Sequence, residues 1–195
     1  KKNKNLNSQL KINGNINKRF GLDFKKISLL SKNNRLIVNE LVIDKDNKLS
    51  KVDKIDLDYI DNDNLKNKFI INRTKNNNYE LKGSSLNANS IITNLLKSKN
   101  EQQLDIFKEN INIALNFSDV YLDNENIVNN LNGILRIIDN KVYHADISAL
   151  FDNNKDFKFT INTKNEKKIT NLFSSKAKPF AKRYKFIKGF EDSNE

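Results

Sequence analysis

Strict alternation of apolar and polar residues is the feature that most limits what this chain can become. Along 109–117, Ile111, Ile113, Leu115 and Phe117 fall on one side of an extended backbone, and Asn110, Asn112, Ala114 and Asn116 on the other. Successive side chains of a β-strand point to opposite faces, so this spacing predicts a strand with one apolar and one wet side. The pattern recurs. Tyr143, Ala145, Ile147, Ala149 and Phe151 alternate with Val142, His144, Asp146, Ser148 and Leu150. Phe157, Phe159 and Ile161 alternate with Lys158, Thr160 and Asn162, while Leu131, Gly133, Leu135 and Ile137 share a face opposite Arg136. Stretches 36–43, 52–60, 66–73 and 79–83 read as further strands of the same kind, less cleanly patterned.

Short polar stretches separate these runs: Lys32-Asn-Asn34, Asp44-Lys-Asp-Asn47, Asp61-Asn-Asp-Asn64, Lys75-Asn-Asn-Asn78, Asp139-Asn140 and Asp152-Asn-Asn154. Asn and Asp tolerate left-handed backbone and bond their own turns, so these are hairpin connections that do without Gly. The expected fold is mainly β, an antiparallel meander forming a curved, groove-like sheet. Two helices interrupt the alternation. Near 88–97, Ile91, Ile92, Leu95 and Leu96 make a helical stripe, with Asn87 or Asn89 as N-cap. Near 175–188, Ala177, Phe180, Ala181, Tyr184 and Ile187 line one side of a basic helix that holds the only proline, Pro179, in its first turn. We divide the chain into residues 1–74, strand repeats, and 75–195, a β region carrying both helices. Two short helices do not cover so many strands. Either the sheet folds onto itself or it presents an apolar groove, and alternation alone predicts both.

Composition removes several classes of function. There is no cysteine, so disulfides and thiolate metal sites are excluded. No apolar run approaches the roughly 18 residues of a membrane span. Opening on Lys1 rather than Met, and ending in polar residues, the chain reads as cut from a longer polypeptide. Net charge is +11, unevenly spread: residues 1–35 hold ten basic groups and one acid, and 155–188 hold eleven and two. Only five of 35 basic residues are Arg, beside 36 Asn. A nucleic-acid site favours the forked guanidinium, so a basic binding module for nucleic acid or acidic surfaces ranks as the alternative reading.

Catalytic groups are sparse. His144 is the single histidine, with Asp146 two residues on as its only nearby acid, and triads or metal sites need further partners. Asp61-Asn-Asp-Asn64 lacks the Gly and distal Glu of a calcium loop and reads as a turn. The five glycines are too scattered to cradle phosphate. The expectation is a non-enzyme with no cofactor and no metal.

Three stretches, in order, resemble the AsmA-like C-terminal region family of bacterial envelope proteins, of the YhdP and TamB kind. Residues 79–96, Tyr-Glu-Leu-Lys-Gly-Ser-Ser-Leu-Asn-Ala-Asn-Ser-Ile-Ile-Thr-Asn-Leu-Leu, are similar to that family's strand–Gly–helix unit, with Asn87 where Asp is common. Residues 111–121, then Leu131-Asn-Gly-Ile-Leu-Arg136 and 143–150, resemble its characteristic strands. Residues 169–189 are similar to its strand, helix and Ile-x-Gly exit. The resemblance covers 79–190 and implies a periplasmic segment, held at the inner membrane by an anchor outside this chain. It implies an apolar β groove that carries phospholipid acyl chains between inner and outer membranes, with no nucleic-acid partner. The groove-facing residues expected on this reading are Ile111, Ile113, Leu115, Phe117, Leu135, Ile137, Ile147, Phe157, Phe159 and Ile161. A third possibility, a purely structural β scaffold, predicts the same alternation with a closed core.

Overall fold

The computed structural model describes residues 7–17, 21–91, 106–165, 167–176 and Phe180. They form one sheet of eleven strands in sequence order. The strands are β1 (Gln9–Asn17), β2 (Gly21–Leu30), β3 (Arg35–Ile43), β4 (Leu49–Ile60), β5 (Lys66–Arg73), β6 (Asn78–Asn87), β7 (Ile111–Tyr121), β8 (Ile127–Ile138), β9 (Lys141–Phe151), β10 (Lys155–Lys164) and β11 (Lys167–Ser174). Below, the upper end of the sheet carries the turns after β3, β5, β8 and β10, and the lower end those after β2, β4, β7 and β9.

The expected antiparallel meander needs one correction. Nine of the ten neighbouring pairs are antiparallel, but β6 and β7 run parallel, with Leu81 beside Leu115 and Gly83 beside Phe117. A parallel pair requires a crossover, because a tight turn reverses the chain. Here the crossover is the long connection after Asn87. It splits the sheet into two five-strand meanders of identical topology, β2–β6 and β7–β11, with β1 added to the free side of the first. The sheet runs continuously through residue 74, since β5 and β6 pair from Arg73↔Tyr79 to Lys68↔Ser85.

The two meanders share sequence as well as topology. Leu22-Asp-Phe-Lys-Lys-Ile-Ser-Leu29 in β2 corresponds to Leu115-Asn-Phe-Ser-Asp-Val-Tyr-Leu122 from β7 into its turn. Ile37-Val-Asn-Glu-Leu41 corresponds to Ile127-Val-Asn-Asn-Leu131, and Lys68-Phe-Ile-Ile-Asn72 to Lys158-Phe-Thr-Ile-Asn162. In the second of these pairs the fourth residue adopts left-handed backbone in both copies, Glu40 at φ 52° and Asn130 at φ 53°. Left-handed backbone inside a strand breaks the alternation, so Val128 and Leu131, three apart, are both buried.

Turn chemistry follows the expected pattern. Asn47, Asn64, Asn76, Asp139, Asn140 and Asn154 all take positive φ in connections. The only helical element spanning several described residues outside 88–97 is a 3-10 turn, Asp152–Asn154. The two expected helices lie almost wholly outside the described residues. Asn89–Ile91 are helical at the start of the first, and the Asn87 side-chain carbonyl accepts the Asn89 N–H there at 3.0 Å. Of the second, only Ser175, Lys176 and Phe180 are described: the first two follow β11 without helical structure, and Phe180 is helical.

Candidate functional site

The ten residues singled out by alternation all lie on one face. Register places Ile111 beside Ile137, Ile113 beside Leu135, Leu115 beside Gly133 and Phe117 beside Leu131. Ala145 pairs with Leu135 and Ile161, and Ile147 with Gly133 and Phe159; Ala149 pairs with Phe157. One further residue joins this face against expectation. A bulge between Arg136 and Ile137 brings Val142 opposite Ile137, moving it off the polar side to which simple alternation assigned it.

One cross-strand row of this face is apolar across all eleven strands. It runs Ile12, Ile27, Val38, Ile55, Ile71, Leu81, Leu115, Gly133, Ile147, Phe159, Leu172, each directly paired with the next. At about 4.8 Å between strands the row measures roughly 48 Å along the sheet. Gly133 is its only gap in side chains, and the neighbours explain it. A Cβ there would lie 2.7 Å from the Asp146 carbonyl and 2.9 Å from Ile147. Burial along the row is graded. Ile12 is 58% exposed, Val38 is buried, and the remainder are half-buried. Next to the row, Gly83 lies between Phe69 and Phe117, whose rings meet edge-to-face at 5.9 Å over the side chain it lacks.

The lower end of the second meander is sealed. Phe117, Val120, Leu122, Val128, Leu131, Ala149, Phe151, Phe157 and Phe180 form one buried cluster. Phe157 stacks on Phe180 at 5.6 Å and meets Phe151 edge-to-face at 6.1 Å. Thus Ile111, Phe117, Phe157 and Ile161 are buried, whereas Ile113, Leu115, Leu135, Ile137, Ile147 and Phe159 keep part of their surface open. Alternation missed Val120, Leu122 and Val128. Their signal was the repeated Val-Asn-x-Leu and Phe-x-x-Ile/Val spacing, which steps by three.

At the upper end the crossover returns across the sheet. The Leu49 N–H donates to the Ile106 carbonyl at 2.7 Å, and the Lys108 N–H donates to the Leu49 carbonyl at 3.1 Å. Phe107 between them is held by Asn140, which accepts its N–H at 2.7 Å and donates to its carbonyl at 3.0 Å. Lys108 also pairs with Asp44 at 3.4 Å. The Lys48 N–H holds Asp44 below the ordinary carboxylate range against a lesser opposing effect of burial, with Asp46 and Lys108 adding to it. A recess of about 630 Å³ opens near this end on the wet face, lined chiefly by Glu80, Asn112, Ala114, Ile134, Arg136 and His144.

The polar groups weighed for catalysis serve turns and strand surfaces. His144 Nδ1 lies 3.0 Å from Asn162 Oδ1, while Asp146 faces Lys158 at 3.8 Å. Asp61 accepts the N–H groups of Asp63 and Leu65 on one oxygen, and the Asn67 and Asn87 amides on the other. Burial pushes its carboxyl upward, but those four bonds outweigh burial and hold it below the usual range. Among the described residues no three metal-ligating groups converge. No family model, curated protein or solved structure matches the chain.

Proposed function

We propose that the apolar face cradles lipid hydrocarbon, in the manner expected of an AsmA-like envelope protein that carries phospholipid between inner and outer membranes. The observation that carries this reading is the apolar row, interrupted only at Gly133. A strip of half-open aliphatic and aromatic side chains roughly 48 Å long is what extended acyl chains need, and a domain built only to be stable would bury it. Each CH₂ withdrawn from water contributes about 0.8 kcal/mol, so an acyl chain is held by contact area and slides without a fixed pocket. The residues that meet hydrocarbon are the half-open ones: Ile113, Leu115, Leu135, Ile137, Ile147 and Phe159. Phe117 and Phe157, sealed under Phe180, shape the lower wall instead.

The upper crossover supports a trough-shaped sheet. In a flat sheet β4 and the β8–β9 turn stand four strand spacings apart, about 19 Å. Phe107 and its neighbours bond both Leu49 and Asn140, and that calls for a strong bend between them. Such a protein works without chemistry, the polar head group staying at the open rim.

The test is photo-crosslinking with a diazirine phospholipid. Ile113→Asp and Phe159→Asp should each lower labelling several-fold, with far-UV circular dichroism unchanged, whereas Asn116→Asp on the wet face should label as the parent does. Undiminished labelling of folded Ile113→Asp and Phe159→Asp would remove the lipid reading and leave a scaffold.

A further inference from the structure

On the face opposite the apolar row, two cross-strand rows pass over the seam between the meanders. The one nearer the upper end runs Asn78, Asn112, Arg136, His144, Asn162, and the next runs Glu80, Ala114, Ile134, Asp146, Thr160. Ala114 offers only a methyl group between Glu80 and Ile134, and that missing bulk makes room for the recess of about 630 Å³. Hydrogen bonding opens it further. The Asn112 amide donates to the Asn78 side-chain carbonyl at 2.9 Å, and His144 Nδ1 lies 3.0 Å from Asn162 Oδ1. Both cross-strand neighbours of Arg136 are thus bonded away from it.

Two opposite charges are left open on the walls. The side chains of Arg136 and Glu80 have no hydrogen-bond or ion-pair partner among the described residues. They stand two strands apart and two residues out of row, about 12 Å between backbones, and do not pair with each other. Asp146 adds no free charge, since Lys158 faces it at 3.8 Å, and Lys82, the next residue of β6 on this face, does not line the recess. A plain anion on Arg136 would meet Glu80 nearby, and a plain cation on Glu80 would meet Arg136. A ligand bearing both charges satisfies both walls. The guanidinium fork takes a phosphate or carboxylate through two parallel bonds. Ile134, 52% exposed although Asn132, Arg136 and Asp146 surround it, gives the ligand's carbons an apolar contact.

The repeat shows that these residues are additions. With Ile37 of β3 matching Ile127 of β8, Ile43 at the end of β3 matches Gly133. Ile134 and Arg136 lie beyond it, in a length of strand that the first meander does without.

We propose that this recess binds a small zwitterion, its ammonium against Glu80 and its phosphate or carboxylate against Arg136, with His144 beside it. Phosphoethanolamine, free or as a phospholipid head group, has this chemistry. The site lies on the face opposite the apolar row and stands whether or not that row carries hydrocarbon.

Amide NMR titration of the 195-residue chain tests it. Free O-phosphoethanolamine should shift Ala114, Ile134, Arg136 and His144 saturably, with a Kd of about 1 mM or below. Inorganic phosphate alone and ethanolamine alone should each bind at least tenfold more weakly. Glu80→Gln and Arg136→Gln should each weaken binding at least tenfold, and Arg136→Lys should recover only part of it, because an ammonium lacks the fork. Ala114→Leu should abolish binding by filling the floor, whereas Phe159→Asp, on the other face, should bind as the parent does. All these variants should keep the parent's circular dichroism. Dihexanoyl phosphatidylethanolamine, kept below its micelle concentration, separates the two sources. Shifts at the same amides support a lipid head group, and their absence, with the free compound binding, supports a soluble zwitterion. Phosphate binding as tightly as phosphoethanolamine would overturn the proposal in favour of a simple anion site. So would the lack of any saturable shift, or parent-like binding by folded Glu80→Gln, Arg136→Gln or Ala114→Leu.

Discussion

Lys68-Phe-Ile-Ile-Asn72 in β5 and Lys158-Phe-Thr-Ile-Asn162 in β10 hold equivalent places in the two meanders, yet the residue preceding each closes the lower end of the sheet by opposite chemistry. In the first meander it is Asn67, fully buried, whose amide donates to Asp61 while its carbonyl accepts the Asn87 N–H at 2.7 Å. In the second it is Phe157, packed between Phe151 and Phe180. A buried amide tolerates that position because each of its polar atoms has a partner. A buried phenyl ring tolerates it because there is enough aromatic surface to enclose it. One backbone position thus admits two solutions. The polar one ties the turn at 61–65 to the start of the crossover, and the apolar one builds a core.

The repeated Phe-x-x-Ile/Val motif teaches the same lesson. Phe117 and Val120 are buried, each 2% exposed, whereas Phe24 and Ile27 are only half-buried. Glu40 lies near the end of β3 and Asn130 near the start of β8, so the bulge they mark falls at opposite ends of the sheet. Only the second copy lies where Phe151, Phe157 and Phe180 close over it.

The sharpest way to break this comparison is truncation of the two motif phenylalanines. Phe117→Ala should cost about 3–5 kcal/mol in urea unfolding, as expected for a fully buried ring, and Phe24→Ala about half as much. Equal losses would mean the halves are packed alike. Gly83→Ala comes next. It lies on the seam between the meanders, and its Cβ would stand 2.4 Å from the Lys68 carbonyl and part the Phe69 and Phe117 rings. A loss of about 1–3 kcal/mol is expected, with the unfolding transition broadening as the halves uncouple.

Acid should separate the two ends without any mutation. The Asp61 carboxyl is lowered in the folded state, so its bonds contribute fully above the unfolded value of 3.8 and are lost as pH falls through the folded value. Hydrogen exchange, corrected for intrinsic rates, should show Asp63, Leu65 and Asn87 opening in that range while Val120 and Val128 stay protected. Asp61→Ala should cost about 2 kcal/mol and abolish that pH dependence. The smallest effect is expected from Asn140→Ala, which frees Phe107 from two hydrogen bonds. It should cost about 1 kcal/mol and raise exchange at Leu49 and Lys108 alone.

Much of the sheet was legible from residues alone. Ile111 to Phe117, Ala145 to Phe151 and Phe157 to Ile161 keep strict alternation, and the face each side chain takes follows. β2 was hidden because Phe24 and Ile27 are three apart. The parallel join of β6 to β7 was hidden because strand pattern carries no direction, and the crossover between them reads only as an interruption. Val142 was misplaced by one bulge, since a single extra residue exchanges the faces beyond it.

What the sequence by itself determined is which side of each regular strand is apolar, because that is fixed by the covalent geometry of successive residues. Which of those apolar side chains stay open was decided only in three dimensions. Phe157 is sealed by Phe180, 23 residues on, and Leu49 is bonded by Ile106 and Lys108 from the far end of the crossover. Burial depends on which distant segments arrive, and alternation along one strand holds no record of them.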